Sequence, residues 1–473
     1  MRLLNTWTFE VEYIPESRIQ LEPYAILSHR WLGDDEEIKF QDIHKYSYAL
    51  QSGERPFVLP QLDKIRGACD VARGKALRWL WMDTCCIDKT DTREYAEAIN
   101  SMFRWYRDAK LCITYLSDVQ NKYRRSSLGR DIFRGSPGQR DRVSTWFSRG
   151  WTLQELLAPS ELEFYDMDWN FIGTKRELAS AIAEVTSISP PILTGQIPLS
   201  NASIAQKMSW MSGRQTTHPE DMAYSMIGIF NITMPFIYGE SGARAFRRLQ
   251  EILLASPSMD ESLFAWRMPS KALHSGKDKA TLADSDWEQV EWGLLADSPD
   301  WFAGSGDIEI PGGRAAQVRT FRMLPQGLEA PIRKKVYLGP DGSSSSGTRR
   351  RQGGKSSISP WISLAGTVIK SVNYLTVGMR VNQTAMEDYD FTLNCFRWSP
   401  SGQPLNVVIQ LRPVYVDELT VGGGTSSVRN QTKGAYVYPY TECKRMRCHE
   451  LGLTEEPITN YGNGIVFQPQ SNC

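Results

Sequence analysis

"RWLWMDTCCIDKTDTREYAEAINSMFRWYRDAKLCITYLSDV", Arg78 to Val119, reads as a strand, a helix and a second strand, and that spacing decides the fold. "RWLWMDTCCIDK" opens as a short apolar run and turns polar near Asp83, as a buried strand does at its end. "TREYAEAINSMFRWYRDA" carries Ala98, Met102, Trp105 and Tyr106 as an apolar helical stripe. "KLCITYLSDV" is a strand again. Strands and helices alternating at this interval predict a parallel sheet covered on both faces.

The same pattern extends in both directions. Upstream, "YAILSHRW" (Tyr24 to Trp31) is a strand, and "PQLDKIRGACDVARGKAL" places Leu62, Ile65, Ala68, Cys69 and Ala72 on one helical face. Downstream come a polar loop, Gln120 to Gln139, a helix within "STWFSRGWTLQELLAPSELEF" (Ser144 to Phe164) and a fourth strand, "ELEFYDM". From Lys175 to Leu254 the pattern is mostly helical, and Pro269 to Asp286 is polar and aperiodic, a linker. Beyond it, "WISLAGTVIKSV", "YLTVGMRV", "PLNVVIQLRPVYV" and "GAYVYPY" are β-branched and aromatic, with Asp341 to Ser357 a low-complexity loop between strands. The expected organisation is an α/β domain over residues 1–175, a helical extension over 176–268, a linker over 269–286 and a mainly β C-terminal domain over 287–473.

Composition narrows the function classes. Lys+Arg and Asp+Glu stand at 54 each in 473 residues, so no charge excess recruits nucleic acid or an anionic membrane. No run approaches the roughly eighteen apolar residues of a membrane helix, and the start has no signal-peptide core, so a cytoplasmic chain without a membrane span is expected. Eight cysteines without regular spacing then read as reduced thiols, and the Asn-x-Ser/Thr matches at Asn201, Asn231, Asn382 and Asn430 as unglycosylated.

Several familiar motifs fail on spacing. "GACDVARGKA" has the wrong glycine interval for a phosphate loop, and Ala76 stands where a hydroxyl must reach magnesium. No Gly-x-Gly-x-x-Gly follows a strand. Cys85 and Cys86 are adjacent rather than spaced for zinc, and Cys443, Cys448 and His449 lack a fourth ligand, so no metal is expected. "GDDEE" (Gly33 to Glu37) reads as a solvated acidic loop. His29, beside Ser28, has no nucleophile elbow to serve. One question stands out: Glu155 follows Trp151 by four residues, on a helix that leads into a buried strand. It is either a solvated surface carboxylate or one that faces a pocket.

The blocks "YAILSHRWLGDDEEIKFQDI", "KIRGACDVARGKALRWLWMDTCCIDKTDTREYAEAINSMFRWYRDAKLCITYLSDV" and "WFSRGWTLQELLAPSELEFYD" resemble the three signature blocks of the fungal heterokaryon-incompatibility (HET) domain. "MSWMSGRQTTHPEDMAYSMIGIFNITMPFIYGE" and "AFRRLQEIL" resemble the segment downstream of that domain in many incompatibility proteins, so the resemblance covers roughly residues 1 to 265. It implies self/non-self recognition and programmed cell death. The blocks also resemble, at greater distance, a Toll/interleukin-receptor (TIR) domain, which implies a flavodoxin-like parallel sheet. "SRGWTLQEL" is similar to the TIR Ser-x-x-Trp-x-x-x-Glu-Leu pattern, with Ser148, Trp151, Glu155 and Leu156 in register and Thr152 where a cysteine is usual. In enzymatic TIR domains that glutamate cleaves NAD, so the resemblance implies Glu155 as the catalytic residue and Cys85 to Glu94 as a ligand-gating loop.

The chemistry agrees. Glycoside cleavage passes through an oxocarbenium-like transition state and usually needs a second carboxylic acid for the leaving group. The nicotinamide of NAD leaves as a neutral molecule, so a single ionised glutamate suffices to stabilise the ribosyl cation. At the strand ends, where open sheets bind ligands, Ser28, His29, Arg30 and Trp31 form one group and Asp83, Cys86 and Asp88 another. Arg30 is suited to the diphosphate, and Trp31 and Trp151 to stacking on the rings. The expectation is an NAD-hydrolysing cell-death effector with NAD as substrate, no cofactor, self-association and an upstream immune receptor or incompatibility partner. Its rival is a non-enzymatic death-signalling adaptor. A cleft holding Glu155 with Arg30 and a tryptophan favours the first, and an exposed Glu155 the second.

Overall fold

The computed structural model describes residues 1–19, 21–31, 36–53, 59–120, 129–135, 142–256, 259–267 and 294–311, and beyond these only 322–324, 327–331, 389–414, 441–446, 452–454 and 464–467. Asp341 to Ser357, the linker, and the runs "WISLAGTVIKSV", "YLTVGMRV" and "GAYVYPY" lie outside the described residues. The chain divides into two compact units, the first comprising Met1–Ala202, Gln206–Ile252 and Asp297–Gly306.

The first unit is built on a seven-stranded sheet. Its strands and helices run β1 (Arg2–Asn5), β2 (Val11–Tyr13), α1 (Glu16–Ile19), β3 (Tyr24–His29), α2 (Ile43–Ser52), α3 (Pro60–Gly74), β4 (Trp79–Trp81), α4 (Thr92–Asp108), β5 (Leu111–Tyr115), α5 (Thr152–Leu157), β6 (Leu162–Tyr165) and β7 (Phe171–Thr174). The strand order is β2-β1-β4-β3-β5-β6-β7. β4, β3, β5 and β6 run parallel, with Ser28 opposite Thr114 and Thr114 opposite Phe164 in register. β1 and β7 pair antiparallel with the two ends of this core, and β2 with β1. The four strands read in the sequence are thus the centre of the sheet, and the flanking strands are additions.

The apolar runs are continuous because both faces are covered. Every residue of β3 is buried, as are Trp79, Leu80 and Trp81 of β4 and Leu111 to Thr114 of β5. The predicted stripe of α3 is buried in full, and α4 buries Ala98, Ile99, Met102 and Tyr106. Asp91 caps α4, its carboxylate accepting from the N–H groups of Arg93 and Glu94. Right-handed crossovers place α2 and α3 on one face of β3, and α4 and α5 on the other. Going from β3 to β4 and back across to β5 makes the β3–β5 gap a switch point, where open sheets receive ligands.

One expectation is corrected within "GDDEE". Glu37 is buried and ion-paired, its two oxygens 2.5 and 2.6 Å from Lys64 Nζ on α3.

After β7 the chain continues through helices that include α6 (Ala179–Thr186), α7 (Pro190–Leu193), α8 (Ile204–Met211), α9 (Asp221–Tyr224) and α10 (Gly242–Leu254). In the second unit the described strands form a sheet, β10-β11-β12-β14-β9-β8, with β13 also paired to β11. These strands are β8 (Arg322–Leu324), β9 (Gly327–Pro331), β10 (Tyr389–Trp398), β11 (Pro404–Val414), β12 (Thr441–Met446), β13 (Gly452–Thr454) and β14 (Gly464–Phe467). Among the described residues no helix is long and apolar enough to cross a membrane.

Candidate functional site around Glu155

The helix carrying Glu155 is shorter than its sequence suggests. A 3-10 turn over Thr145–Ser148 precedes it, Trp151 is its N-cap position, and α5 itself has six residues. Such a short helix owes little to propensity and is held by packing. Thr152, Leu153, Gln154, Glu155 and Leu156 are all buried. Glu155 is 7% exposed. It therefore lies neither on an exposed face nor in an open cleft.

Its partners come from the centre of the sheet. Ser28 Oγ donates to Glu155 Oε2 at 2.5 Å, and Trp146 Nε1 donates to Ser28 Oγ at 2.9 Å. The indole thus fixes the serine lone pair and leaves its proton for the carboxyl. Tyr106 packs nearby from α4, its hydroxyl donating to Leu27 O at 2.9 Å. Burial pushes the Glu155 carboxyl up to about 8, with Asp83 adding to the rise while Ser28, Arg149 and Tyr106 oppose it. At neutral pH Glu155 is mostly protonated, and a cation brought close would favour its ionisation.

Ser28 and His29 are consecutive in a strand, so their side chains leave opposite faces. His29 turns to the α3 side. Its Nε2 stands 3.7 Å from Asp83 Oδ1, too far for a hydrogen bond, and neither atom has a hydrogen-bond partner. Burial, reinforced by the cations Lys64, Lys89 and Arg149, holds His29 neutral, well below its ordinary value. Burial also raises the Asp83 carboxyl, against the opposing pull of Lys89 and Trp31. Asp83 Oδ2 accepts from Trp31 Nε1 at 2.7 Å, and Lys89 Nζ sits 3.5 Å from the centroid of the Trp31 ring. That face of Trp31 is taken by an ammonium.

The predicted residues therefore fall into two groups. Ser28 and Glu155 are joined on one face, and His29, Trp31 and Asp83 cluster on the other. The remaining four stand apart. Arg30 is exposed and donates to Thr145 Oγ1 at 3.0 Å. Cys86 is buried, its thiol directed at Leu80 O, 3.7 Å away. Asp88 organises its own turn, accepting from Thr90 Oγ1 and Gln41 Nε2 at 2.6 Å each. Trp151 Nε1 donates to Asp221 Oδ2 at 3.0 Å, so the indole points at the helical extension.

Sequence reasoning missed Trp146, Tyr106 and Arg214. Tyr106 was legible only as part of a core stripe. Arg214 lies 59 positions after Glu155, and nothing local to it signals its destination. Among the described residues no group of three or more His, Cys, Asp or Glu could hold a metal; Cys448 and His449 lie outside them. A groove of about 750 Å3 lies at the amino ends of β3, β5 and β6, lined by Tyr24, Arg104, Trp105, Lys110 and Glu161. It is at the opposite end of the sheet from Glu155 and holds none of the candidate residues.

Comparison with known proteins places the chain. Residues 24–155 match the family model "Heterokaryon incompatibility protein (HET)", and residues 244–325 match "Domain of unknown function (DUF8212)". The chain is 39% identical over 284 residues to Vegetative incompatibility protein HET-E-1 of Podospora anserina, covering 60% of this chain and 19% of that protein. No solved structure matches. The HET match begins at Tyr24, the first residue of the central strand, and ends on Glu155, so the parallel core of the sheet and the family match coincide: the chain carries a HET domain over residues 24–155.

Proposed function

We propose that the first unit cleaves the nicotinamide–ribose bond of NAD and that the chain acts as a cell-death effector in self/non-self incompatibility. The observation that carries the reading is Glu155: a buried carboxyl, beside the β3–β5 switch point, with a serine hydroxyl aimed at it. The order of the four parallel strands, second-first-third-fourth, is that of flavodoxin-like sheets and supports the TIR-like resemblance. The incompatibility role is supported by the family match and by the name of the relative.

The chemistry follows from the charge state. Substrate binding brings the cationic nicotinamide ring to a carboxyl kept neutral by burial. The ring's charge favours the carboxylate, and the proton leaves to solvent. As the C–N bond breaks, its electron pair goes to the ring, and positive charge moves to the ribose. The low-dielectric surroundings make a carboxylate there effective. Water then adds to the ribosyl cation and gives up a proton to the Glu155 carboxylate, leaving ADP-ribose and restoring the neutral acid. Because Glu155 is buried, NAD reaches it only by opening the end of β3 toward α5.

One observation favours the non-enzymatic adaptor. Glu155, Ser28 and Trp146 form a connected buried network, which also serves as core structure. The deciding experiment is incubation of purified protein with NAD, following nicotinamide release by wild type and by Glu155→Gln. Release that depends on Glu155 supports hydrolysis; no release above background sinks it.

A further inference from the structure

The stretch from residue 156 to 243 is covered by neither family match. It nevertheless encloses the turn that carries Glu155. The backbone pairs directly: Gln215 N–H donates to Ser148 O at 2.7 Å, and Gly150 N–H donates to Gln215 O at 2.9 Å. A Cβ at Gly150 would stand 2.5 Å from Thr216 Cγ2, so any larger residue would force that side chain to shift.

Arg214 lies beside this bridge, buried. Its Nη1 donates to Arg149 O at 2.8 Å and to Thr152 Oγ1 at 3.1 Å, and its Nε donates to Trp210 O at 2.9 Å. Thr152 Oγ1 in turn lies 2.7 Å from Trp146 O and 2.9 Å from Arg149 O. One guanidinium therefore connects α8 to the segment that supplies both Trp146 and Glu155. Asp221 forms a second anchor. Its Oδ2 accepts from Trp151 Nε1 and its Oδ1 from Tyr238 OH, both at 3.0 Å.

We propose that Arg214 is a positioning residue for Glu155, locking the Arg149–Thr152 turn and keeping a permanent positive charge within electrostatic reach of the carboxyl, with Asp221 holding Trp151 in support. The site is then incomplete without the segment that follows the HET match. The proposal rests on the reading of Glu155 as the catalytic group. The groups around Glu155 are Ser28 from β3, Asp83 from the end of β4, Tyr106 from α4, Cys112 from β5, Arg149 from the turn and Arg214 from the extension. Arg214 feels Glu155 directly, its own value lowered by burial to about 10 and raised in part by that carboxyl.

The test titrates Glu155 by isotope-edited infrared spectroscopy, taking its carboxyl band as the difference from Glu155→Gln, in the full chain and without substrate. Arg214→Gln should raise the midpoint by about one pH unit, because it removes a buried positive charge that interacts with the carboxyl. Arg214→Lys keeps the charge but loses the fork that grips three oxygens. It should leave the midpoint within about 0.3 unit while nicotinamide release falls several-fold at unchanged NAD affinity. A merely structural arginine would not move a carboxyl midpoint. An unmoved midpoint in folded Arg214→Gln overturns the proposal. If that variant does not fold, Arg214→Lys decides: a midpoint shifted as far as expected for Gln, or undiminished release, overturns it. A wild type that releases no nicotinamide sinks the enzyme reading instead, and the titration still judges the position of Arg214.

Discussion

Replacing Glu155 by glutamine should make the protein more stable, and by an amount that depends on pH. The native state holds the Glu155 proton up to about pH 8, whereas an unfolded chain gives it up near the ordinary 4.5. Between those values the native state binds more protons than the unfolded one, so stability falls as pH rises through that window. Each pH unit in it is worth roughly 1.4 kcal/mol. The cost of keeping a glutamate there therefore reaches about 3 kcal/mol at pH 7 and about 4–5 kcal/mol above pH 8. Glutamine has nearly the volume of the protonated acid and can still accept from Ser28, yet has no proton to lose. At a few degrees per kcal/mol, Tm of Glu155→Gln should exceed wild type by roughly 10 °C at pH 8.5, and by only about 2 °C at pH 5. Calorimetry at the two pH values decides it. Titrating groups that do not interact with Glu155 are common to both proteins and cancel in the difference. A Tm difference that is flat with pH, or a glutamine variant less stable at pH 8.5, would refute a buried protonated Glu155.

The same carboxyl sets the activity profile. Because kcat/KM reports groups in the free enzyme, it should fall about tenfold per pH unit below pH 8, while kcat holds to lower pH because bound NAD favours the carboxylate; equal midpoints for both would contradict this. Gly150→Ala, which drives a methyl into Thr216, should cost about 1–3 kcal/mol in denaturant unfolding and lower nicotinamide release; an unchanged midpoint would mean that the extension does not clamp the turn. The TIR-like resemblance predicts that specific activity rises more than linearly with protein concentration. A flat profile over a hundredfold dilution, with a monomer in light scattering, removes that expectation.

The centre of the sheet was legible because parallel strands buried on both faces leave short, wholly apolar runs such as Tyr24–Leu27 and Leu111–Ile113. The stripes of α3 and α4 were legible for the same reason, since each buries one face. β2 was not, because three residues with two exposed carry no alternation to read. β7 is similarly short and begins with the exposed Phe171. At the site, the spacing of Trp151 and Glu155 suggested a shared pocket, but α5 begins only at Thr152. Trp151, at its N-cap, turns to Asp221, while Glu155 turns inward to Ser28. The indole that serves the site is Trp146, in a turn without periodicity. Arg214 was illegible altogether, because its meaning comes from contacts with residues more than sixty positions away. What locality encodes could be read, and what tertiary contact encodes could not.

The most direct test of the central claim pairs two readings on one variant: nicotinamide release from NAD by the purified protein, and death of a host cell that expresses it. The account predicts release by wild type. For a stably folded Glu155→Gln it predicts a loss in kcat on the order of a hundredfold or more, a much smaller loss of NAD affinity, and a surviving cell. A wild type that releases nothing above background, or a Glu155→Gln that kills as well as wild type, would contradict it.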